Sequence, residues 1–151
     1  VIAHAVAWQN QHGEKVSEAC CIYPTSPFMR AKDLVLGLQT LVDTGASYAF
    51  SVTTYAYPIQ RALRAPSNRR LARVQPEYYG KRTQDLEPTW HYAGQFYWGR
   101  SEAWLRGEVL YSPASLPVIL PRHLVQDIDT LQDWKRAEYL YAALKAGGEL
   151  Q

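Results

Sequence analysis

The sequence lacks any apolar run that approaches the roughly 20 residues needed for a membrane-spanning helix. No secretory signal is visible either. Only two cysteines occur, Cys20 and Cys21, and they are adjacent in the chain. Because neighbouring residues of a strand point to opposite faces, these two are poorly placed to form a disulfide with each other. The sequence therefore predicts a cytoplasmic protein without a membrane partner, with both cysteines reduced and in the core.

A strong net charge is also missing, since the formal charge at pH 7 is only +2. That value is too small to indicate a nucleic-acid partner, but the positive charge is unevenly distributed. Residues 61–82 hold seven basic side chains and one acidic one, Glu77. The basic residues are Arg61, Arg64, Arg69, Arg70, Arg73, Lys81 and Arg82. With Tyr78 and Tyr79 beside them, they could bind RNA, could hold an acidic sugar and a nucleotide phosphate, or could form a solvated face.

Motifs for nucleophilic catalysis and for thiolate metal sites are absent. No serine lies in a nucleophile elbow, and no spacing of cysteine and histidine is typical of a metal site. Asp127 and Asp129, however, flank Ile128, and in an extended chain residues i and i+2 face the same way, roughly 6–7 Å apart. Such a pair suits a hard cation shared with phosphates. The alternative is that Asp129 favours the start of the following helix while Asp127 lies in a solvated turn.

Hydrophobic periodicity predicts an α/β fold. Residues 1–12 have helical spacing and end at Gly13, and since no capping residue precedes them we expect an upstream part to be missing. Residues 18–23 predict a buried strand of a parallel sheet. A helix over 34–42 and a strand over 47–54 follow, which together make a βαβ unit.

The second half of the chain continues this pattern. The middle, about 55–84, contains several prolines, the turn Pro66-Ser67-Asn68-Arg69 and the basic cluster, and it predicts short strands or a hairpin. Further strands are predicted at 94–98 and 117–120, with a short helix at 101–106 between them. A last helix runs from Thr130 to Lys145, with Thr130 as its N-cap and Asp133 at the third helical position, close to a capping box.

Two smaller features are candidates for binding. Thr25 and Ser26, between Pro24 and Pro27, follow a predicted strand and offer hydroxyls where open α/β sheets bind ligands. The alternative is that these residues form an ordinary turn bracketed by prolines. His91 could serve as a base or a ligand, or could be a surface side chain.

Five segments in their order resemble the acylneuraminate cytidylyltransferases, the CMP-sialic acid synthetase group. They are PTSP at 24–27, PIQRAL at 58–63, RTQDLE at 82–87, AGQFYW at 93–98 and DIDT at 127–130. The second, third and fourth most resemble the pseudaminic acid branch of that family. The resemblance covers about residues 16–145. It implies a Rossmann-like nucleotide-diphospho-sugar transferase sheet, incomplete at its N-terminus, in one domain over 1–151, with about 55–90 as a projecting β segment for substrate binding and dimerisation.

The resemblance also implies an activity: transfer of CMP from CTP to a nonulosonic acid, pseudaminic or sialic-like, with release of pyrophosphate. Asp127 and Asp129 match the family's catalytic carboxylates, which hold Mg²⁺. Tyr23, Thr25 and Ser26 match the segment that contacts the nucleotide. The positions that match segments facing the sugar acid are Gln60, Arg61, Arg82, Gln84, Asp85, His91 and Gln95. The family implies a homodimer with no nucleic-acid partner.

Three departures from the family pattern qualify these expectations. The Gly- and Lys/Arg-rich loop that wraps the CTP phosphates is absent, so we expect weak CTP binding by the chain alone. Tyr92 stands where an acidic residue is expected, and Tyr23 stands where sialic acid synthetases have glutamine, which favours a related sugar. The alternatives are a non-catalytic dimeric sugar-binding relative and a D-x-D nucleotide-sugar glycosyltransferase, and the late position of Asp127 counts against the second.

Overall fold

The computed structural model describes residues 1–65 and 70–149. They form two compact units, one of Val1–Thr53 with Tyr92–Gln151 and one of Thr54–His91. The helices are α1 (Ile2–His12), α2 (Ala31–Thr44), α3 (Ser101–Arg106) and α4 (Leu131–Ala146). The strands are β1 (Glu18–Ile22), β2 (Tyr48–Thr54), β3 (Leu63–Arg64), β4 (Ala72–Arg73), β5 (Trp90–Arg100) and β6 (Ser115–Ile119). No helix in the described part of the chain is both long enough and apolar enough to span a membrane.

The larger unit is built on a four-stranded sheet in the order β1-β5-β2-β6. β1 runs antiparallel to β5, and β2 runs parallel to β6. The predicted α/β class is therefore confirmed, with a mixed sheet. The prediction that residues 18–23 form a buried strand of a parallel sheet is wrong, because β1 is antiparallel to its neighbour and only half-buried. β5 comes much later in the sequence and lies between β1 and β2, which hydrophobic spacing within 18–54 cannot show.

Each face of the sheet carries its own core, because side chains alternate along the strands. Ala49 and Phe96 belong to one buried cluster, which also contains Leu41 of α2. Phe50 and Tyr97, their respective neighbours in sequence, belong to a second cluster. This second cluster also includes Tyr48, Val52 and Ala103 of α3. The alternation thus places one helix on each side of β5 and β2.

The packing of α2 depends on a glycine in the middle of the helix. A Cβ at Gly37 would lie 2.8 Å from a ring carbon of Phe96 and 2.8 Å from one of Trp98. The indole N–H of Trp98 donates to the carbonyl oxygen of Leu34 at 2.9 Å. Glycine lowers helix stability by roughly 1 kcal/mol relative to alanine. Here it lets the helix backbone approach the aromatic side chains of β5.

Helix α4 begins as the sequence predicts. Thr130 is the N-cap, and the reciprocal hydrogen bonds of a capping box with Asp133 are present. Ala137 and Leu144 of this helix are buried against Phe28 and Leu124. Helix α4 therefore packs against the residue that follows the PTSP loop and against the segment that leads to Asp127.

The smaller unit contains the two-stranded antiparallel sheet of β3 and β4, with Leu63 opposite Arg73 and Arg64 opposite Ala72. Its other regular elements are single turns of 3₁₀-helix at Ile59–Arg61, Pro76–Tyr78 and Thr83–Asp85. Short strands were predicted for this part of the sequence. The predicted turn Pro66-Ser67-Asn68-Arg69 lies outside the described residues.

Gly37→Leu should destabilise the protein, because its side chain has no room beside Phe96 and Trp98. We expect a loss of about 1–3 kcal/mol in the free energy of unfolding, the usual cost of overpacking. Gln39→Leu, at an exposed position of the same helix, is the matched control and should change stability by no more than about 0.5 kcal/mol. Urea unfolding measures both variants, and equal effects would show that α2 does not depend on this close approach.

Candidate functional site

Gly94 and Gln95 interrupt the regular course of β5. Ala93 and Phe96 belong to the same core cluster although they are three positions apart, whereas regular alternation would place them on opposite faces. Gly94, between them, has a φ of 65°, a conformation that side-chain-bearing residues rarely adopt. The strand changes phase at this point, as at a β-bulge. Tyr23, just past the end of β1, donates its backbone N–H to the carbonyl oxygen of Gln95 at 2.9 Å.

The side chain of Gln95 connects this point of β5 to the segment that carries Asp127. It is completely buried, and its amide Nε2 donates to the carbonyl oxygen of Leu124 at 2.7 Å. Its Oε1 is buried without a hydrogen-bond partner in the described structure. The burial indicates that Gln95 positions the backbone around Leu124. Direct contact between Gln95 and a sugar acid stays a prediction.

Asp127 lies directly beside Gly94. A Cβ on Gly94 would be 2.9 Å from Oδ2 of Asp127. Oδ1 of Asp127 accepts from the backbone N–H of Ile128 at 3.0 Å. Nε2 of Gln126 donates to the carbonyl oxygen of Asp127 at 2.7 Å, and Gln126 is itself buried. The half-buried Asp127 is therefore held at both its main chain and its side chain, while Asp129 is exposed.

The PTSP loop is held from within by its serine. Ser26 is buried, and its hydroxyl donates to the carbonyl oxygen of Tyr23 at 2.6 Å. Thr25 is half-buried and Tyr23 is exposed. The Ser26 hydroxyl proton is thus engaged in shaping the loop. Its oxygen lone pairs and the Thr25 hydroxyl remain the groups of this loop suited to a ligand.

The PTSP loop and the DIDT segment border the same cleft. It has a volume of about 330 Å³, and Pro27 and Phe28 line one side. Ile128, Trp134 and Tyr141 also line it. The lining is mostly apolar, while the carboxylates of Asp127 and Asp129 belong to residues on either side of Ile128. Pro27 of the PTSP loop and Ile128 of the DIDT segment therefore meet at one cleft, whereas Thr25, Ser26, Asp127 and Asp129 are not among the residues that line it.

An aromatic cluster beside Tyr23 was not identified from the sequence. The ring of Tyr23 lies 5.4 Å from that of Tyr97, and Phe50 stacks on Tyr97 at 5.6 Å. Tyr111 contacts Phe50 at 5.5 Å and stacks with Tyr92 at 6.0 Å. The unusual tyrosine content of the chain was the only sequence signal, because these residues come from four separate segments. Tyr92, found where an acidic residue was expected, contributes a ring to this cluster.

Burial raises the pKa of the Tyr97 hydroxyl in this cluster and of the Cys20 thiol, which packs against the other core cluster. It raises the pKa of the Tyr97 hydroxyl well above the usual value, and the neighbouring Tyr111 raises it further. Burial, followed by the effect of Cys21, also raises the pKa of the Cys20 thiol to about 12. Both cysteines are free and half-buried. Tyr97 is therefore a neutral hydrogen-bonding group at physiological pH, and Cys20 has no thiolate character suited to nucleophilic chemistry.

The remaining predicted sugar-binding residues lie in the smaller unit, and four of them make hydrogen bonds within it. Gln60 is buried and donates to the carbonyl oxygen of Glu87 at 3.0 Å. Arg61 donates to the carbonyl oxygen of Lys81 at 2.9 Å. Arg82 forms a bidentate ion pair with Asp85, at 2.8 and 3.1 Å.

Gln84 and His91 complete the predicted set in this unit. Gln84 is exposed, and His91 is half-buried with its ring 4.8 Å from that of Tyr55. Their contact with a substrate stays a prediction. Positive side chains also lie over tyrosine rings here, Arg73 over Tyr79 at 4.5 Å and Lys81 over Tyr78 at 4.8 Å.

Asp127 and Asp129 fit a particular kind of cation site. Among residues 1–65 and 70–149, no three histidine, cysteine or acidic side chains come together to hold a metal by themselves. A structural zinc site or a calcium cage is therefore a poor match to the described residues. Mg²⁺ instead takes one or two carboxylates and completes its shell with water and substrate phosphates. The donor set fits a metal that binds together with a nucleotide.

No model of a known protein family matches the chain. Curated proteins do match it. The chain is 34% identical over 141 residues to the pseudaminic acid cytidylyltransferase of Campylobacter jejuni subsp. jejuni serotype O:2, across 93% of this chain and 61% of that protein. Its identity to the protein of the same name from serotype O:23/36 is 34% over 140 residues, across 93% of this chain and 60% of that one.

A third relative carries the same name as part of a longer one. It is the pseudaminic acid cytidylyltransferase and UDP-2,4-diacetamido-2,4,6-trideoxy-beta-L-altropyranose hydrolase of Helicobacter pylori, 29% identical over 111 residues, across 73% of this chain and 21% of that protein. The resemblance drawn from the ordered motifs is confirmed by these relatives. The chain spans about three fifths of the length of the two Campylobacter proteins.

The capping box at the start of α4 should make stability depend on pH. The hydrogen bond from the Thr130 side chain, with smaller help from backbone N–H groups, lowers the pKa of Asp133 below its usual value. The stability added by ionised Asp133 is therefore fully present above about pH 4 and is lost as the pH falls through the lowered pKa. Asp133→Asn should be less stable than the wild type at neutral pH, and the difference should vanish in acid. Thermal unfolding across pH measures it.

Thr130→Val provides the control for this prediction. It removes the hydroxyl that donates to Oδ2 of Asp133 at 2.7 Å. In this background, Asp133→Asn should lower the stability at neutral pH much less. An undiminished effect would mean that the capping box is not the source of the pH dependence.

Proposed function

From its relationship to the pseudaminic acid cytidylyltransferases, we propose that this chain forms part of an enzyme that transfers CMP from CTP to a nonulosonic acid and releases pyrophosphate. The relationship extends over 93% of the chain, which includes both the PTSP loop and the DIDT segment. The structural observation that carries the proposal is that Pro27 of the first segment and Ile128 of the second line one cleft.

In this proposal, Asp127 and Asp129 hold Mg²⁺ at the reacting phosphate. The metal supplies charge neutralisation when bound, as in other phosphoryl transfers. Asp127 is suited to this role because its carboxylate is oriented by the backbone N–H of Ile128 and by the space beside Gly94. Asp129 is exposed and available to a ligand from solvent.

The PTSP loop contacts the nucleotide in this proposal. Ser26 keeps the loop in shape through its bond to the Tyr23 carbonyl oxygen, and Thr25 offers its hydroxyl. The loop follows the last residue of β1, at the end of the sheet where open α/β folds bind ligands.

The aromatic cluster of Tyr23, Phe50, Tyr92, Tyr97 and Tyr111 is the part of the larger unit best suited to a sugar. Rings offer an apolar surface to carbon-bound hydrogens, and tyrosine hydroxyls offer hydrogen bonds to polar groups. The neutral Tyr97 hydroxyl carries no charge that would repel a sugar carboxylate. We therefore assign the sugar acid of the proposed reaction to this cluster, with a pseudaminic-type acid as the substrate that the relatives' names suggest.

The smaller unit carries the remaining residues of this proposal, both the predicted substrate-binding residues and an exposed apolar surface. We retain the expectation that its Gln60, Arg61, Arg82, Gln84, Asp85 and His91 serve substrate binding, and that the unit contributes to a homodimer in the cytoplasm. Leu63 of β3 and Leu71, directly before β4, support the dimer, because they are 57% and 70% exposed. Exposed leucines at and beside short paired strands suit contact with a second copy of the chain.

A non-catalytic sugar-binding relative is the alternative from a different class. It would keep the aromatic cluster and the dimer contact without releasing pyrophosphate. The D-x-D glycosyltransferase alternative is not favoured, since the curated relatives are named as cytidylyltransferases.

Protein carrying this chain should release pyrophosphate from CTP only when Mg²⁺ and a nonulosonic acid are both present. Asp129→Ala should lower the rate at least about 100-fold, because a group that neutralises charge in the transition state is worth several kcal/mol. Asp43→Ala, in the exposed last turn of α2, is the control and should keep the rate. Coupled detection of pyrophosphate measures both. Full activity of Asp129→Ala would contradict the assignment of Asp129 as a metal ligand. Sugar binding without pyrophosphate release would favour the non-catalytic alternative.

Measuring the molecular mass of the protein in solution tests the proposed homodimer. Leu63→Lys combined with Leu71→Lys should shift the protein from dimer to monomer, because two buried charges would have no partner at the contact. Light scattering after size exclusion gives the mass. Val109→Lys, at a 70% exposed position of the larger unit, should leave it unchanged. A monomeric wild type, or a dimer that survives the double substitution, would contradict this contact.

A further inference from the structure

We infer that Gly94 is a positioning residue for the Asp127 carboxylate: its lack of a side chain keeps open the space in which Oδ2 of Asp127 lies, and so sets the affinity for the divalent cation. This inference rests on the proposed function, because it takes Asp127 as a metal ligand. It assigns a role to a glycine in the middle of a buried strand that has no functional group of its own.

A side chain at Gly94 would first meet the side chain of Asp127 and not backbone atoms. A Cβ at Gly94 would meet Oδ2 of Asp127 at 2.9 Å, its Cγ at 3.3 Å and its Cβ at 3.6 Å. The three nearest atoms thus all belong to one side chain, and the closest is its far end. The carboxylate of Asp127 would rotate away to relieve the contact, while the chain around it has no need to move.

The direction in which the carboxylate would move matters for a metal ligand. Oδ1 is anchored by the N–H of Ile128 at 3.0 Å, so a rotation that removes Oδ2 from Gly94 also breaks or strains this bond. The main chain of Asp127 is fixed independently by Gln126 at 2.7 Å and cannot follow the side chain. A carboxylate displaced in this way no longer presents its oxygens in the orientation that the N–H of Ile128 fixes.

The positive φ of Gly94 would by itself make any substitution unfavourable, so the steric effect needs a matched control. Gly107, which ends α3, has the same φ of 65°, and a Cβ there would meet nothing within 4 Å. Gly107→Ala therefore introduces the same backbone strain without touching a carboxylate. A difference in Mn²⁺ affinity between Gly94→Ala and Gly107→Ala therefore measures the steric effect on the Asp127 carboxylate.

The experiment follows Mn²⁺ binding to the full chain by paramagnetic broadening of backbone amide signals, with CTP present in every sample because substrate phosphates complete the metal shell. Wild type should show broadening at residues 126–130 and at Gly94. Gly94→Ala should require at least about tenfold more Mn²⁺ for the same broadening, the size of effect seen when a ligand's supporting contact is lost. Gly107→Ala should stay within about twofold of wild type, and Asp127→Asn should lose the local broadening.

The outcomes separate the inference from the function on which it rests. If Asp127→Asn loses the broadening but Gly94→Ala behaves like Gly107→Ala, the metal site stands and the role of Gly94 is wrong. If wild type shows no local broadening, or Asp127→Asn keeps it, the metal assignment fails and this inference fails with it.

A further variant covers the case in which Gly94→Ala does not fold. Adding Asp127→Ala removes the two closest atoms, and the next contact, at 3.6 Å, is ordinary packing. The double variant should then fold with a melting temperature close to that of Asp127→Ala combined with Gly107→Ala. A double variant that still fails to fold would show that Gly94 serves the backbone of β5 alone and would overturn the inference.

Discussion

The buried hydrogen bond between Gln95 and the Leu124 carbonyl oxygen is the interaction on which the rest of the site depends. It ties the point where β5 changes phase to the segment that carries Asp127. On the other side of the same residue, the Gln95 carbonyl oxygen accepts the N–H of Tyr23, where the PTSP loop begins. One residue thus fixes both proposed ligand-binding segments. Such a bond contributes roughly 0.5–1.5 kcal/mol, but an orphaned partner in the interior would cost more.

The two units differ in how their polar side chains are used. In the larger unit, buried amides and hydroxyls hold backbone segments in place, as Gln95, Gln126 and Ser26 do. In the smaller unit, cations meet rings or carbonyl oxygens on exposed surface, as Arg61 and Arg73 do. Exposed contacts of this kind add little stability. The larger unit therefore has the rigid groups that catalysis needs, and the smaller one displays charge and apolar surface that suit binding.

Local features of the fold could be predicted from the sequence because their causes are local. The capping box of Thr130 and Asp133 and the end of α1 at Gly13 each involve residues within about one turn of each other. The strand order could not be predicted in this way. The position of β5 between β1 and β2 depends on contacts between residues more than 40 positions apart, such as Ser51 with Phe96. The antiparallel pairing of β1 follows from that insertion.

The same distinction between local and long-range causes applies to the site, and to Asp127 in particular. The sequence by itself determined which residues have the right chemistry: a D-x-D pair, a hydroxyl-bearing loop and an ordered set of motifs shared with relatives. Only the tertiary structure decided which of them meet. It placed Asp127 against Gly94, buried Gln95 as a support, and gathered tyrosines from separate segments into one cluster. The physical reason is that side-chain chemistry is a property of each residue, whereas proximity arises from packing between distant parts of the chain.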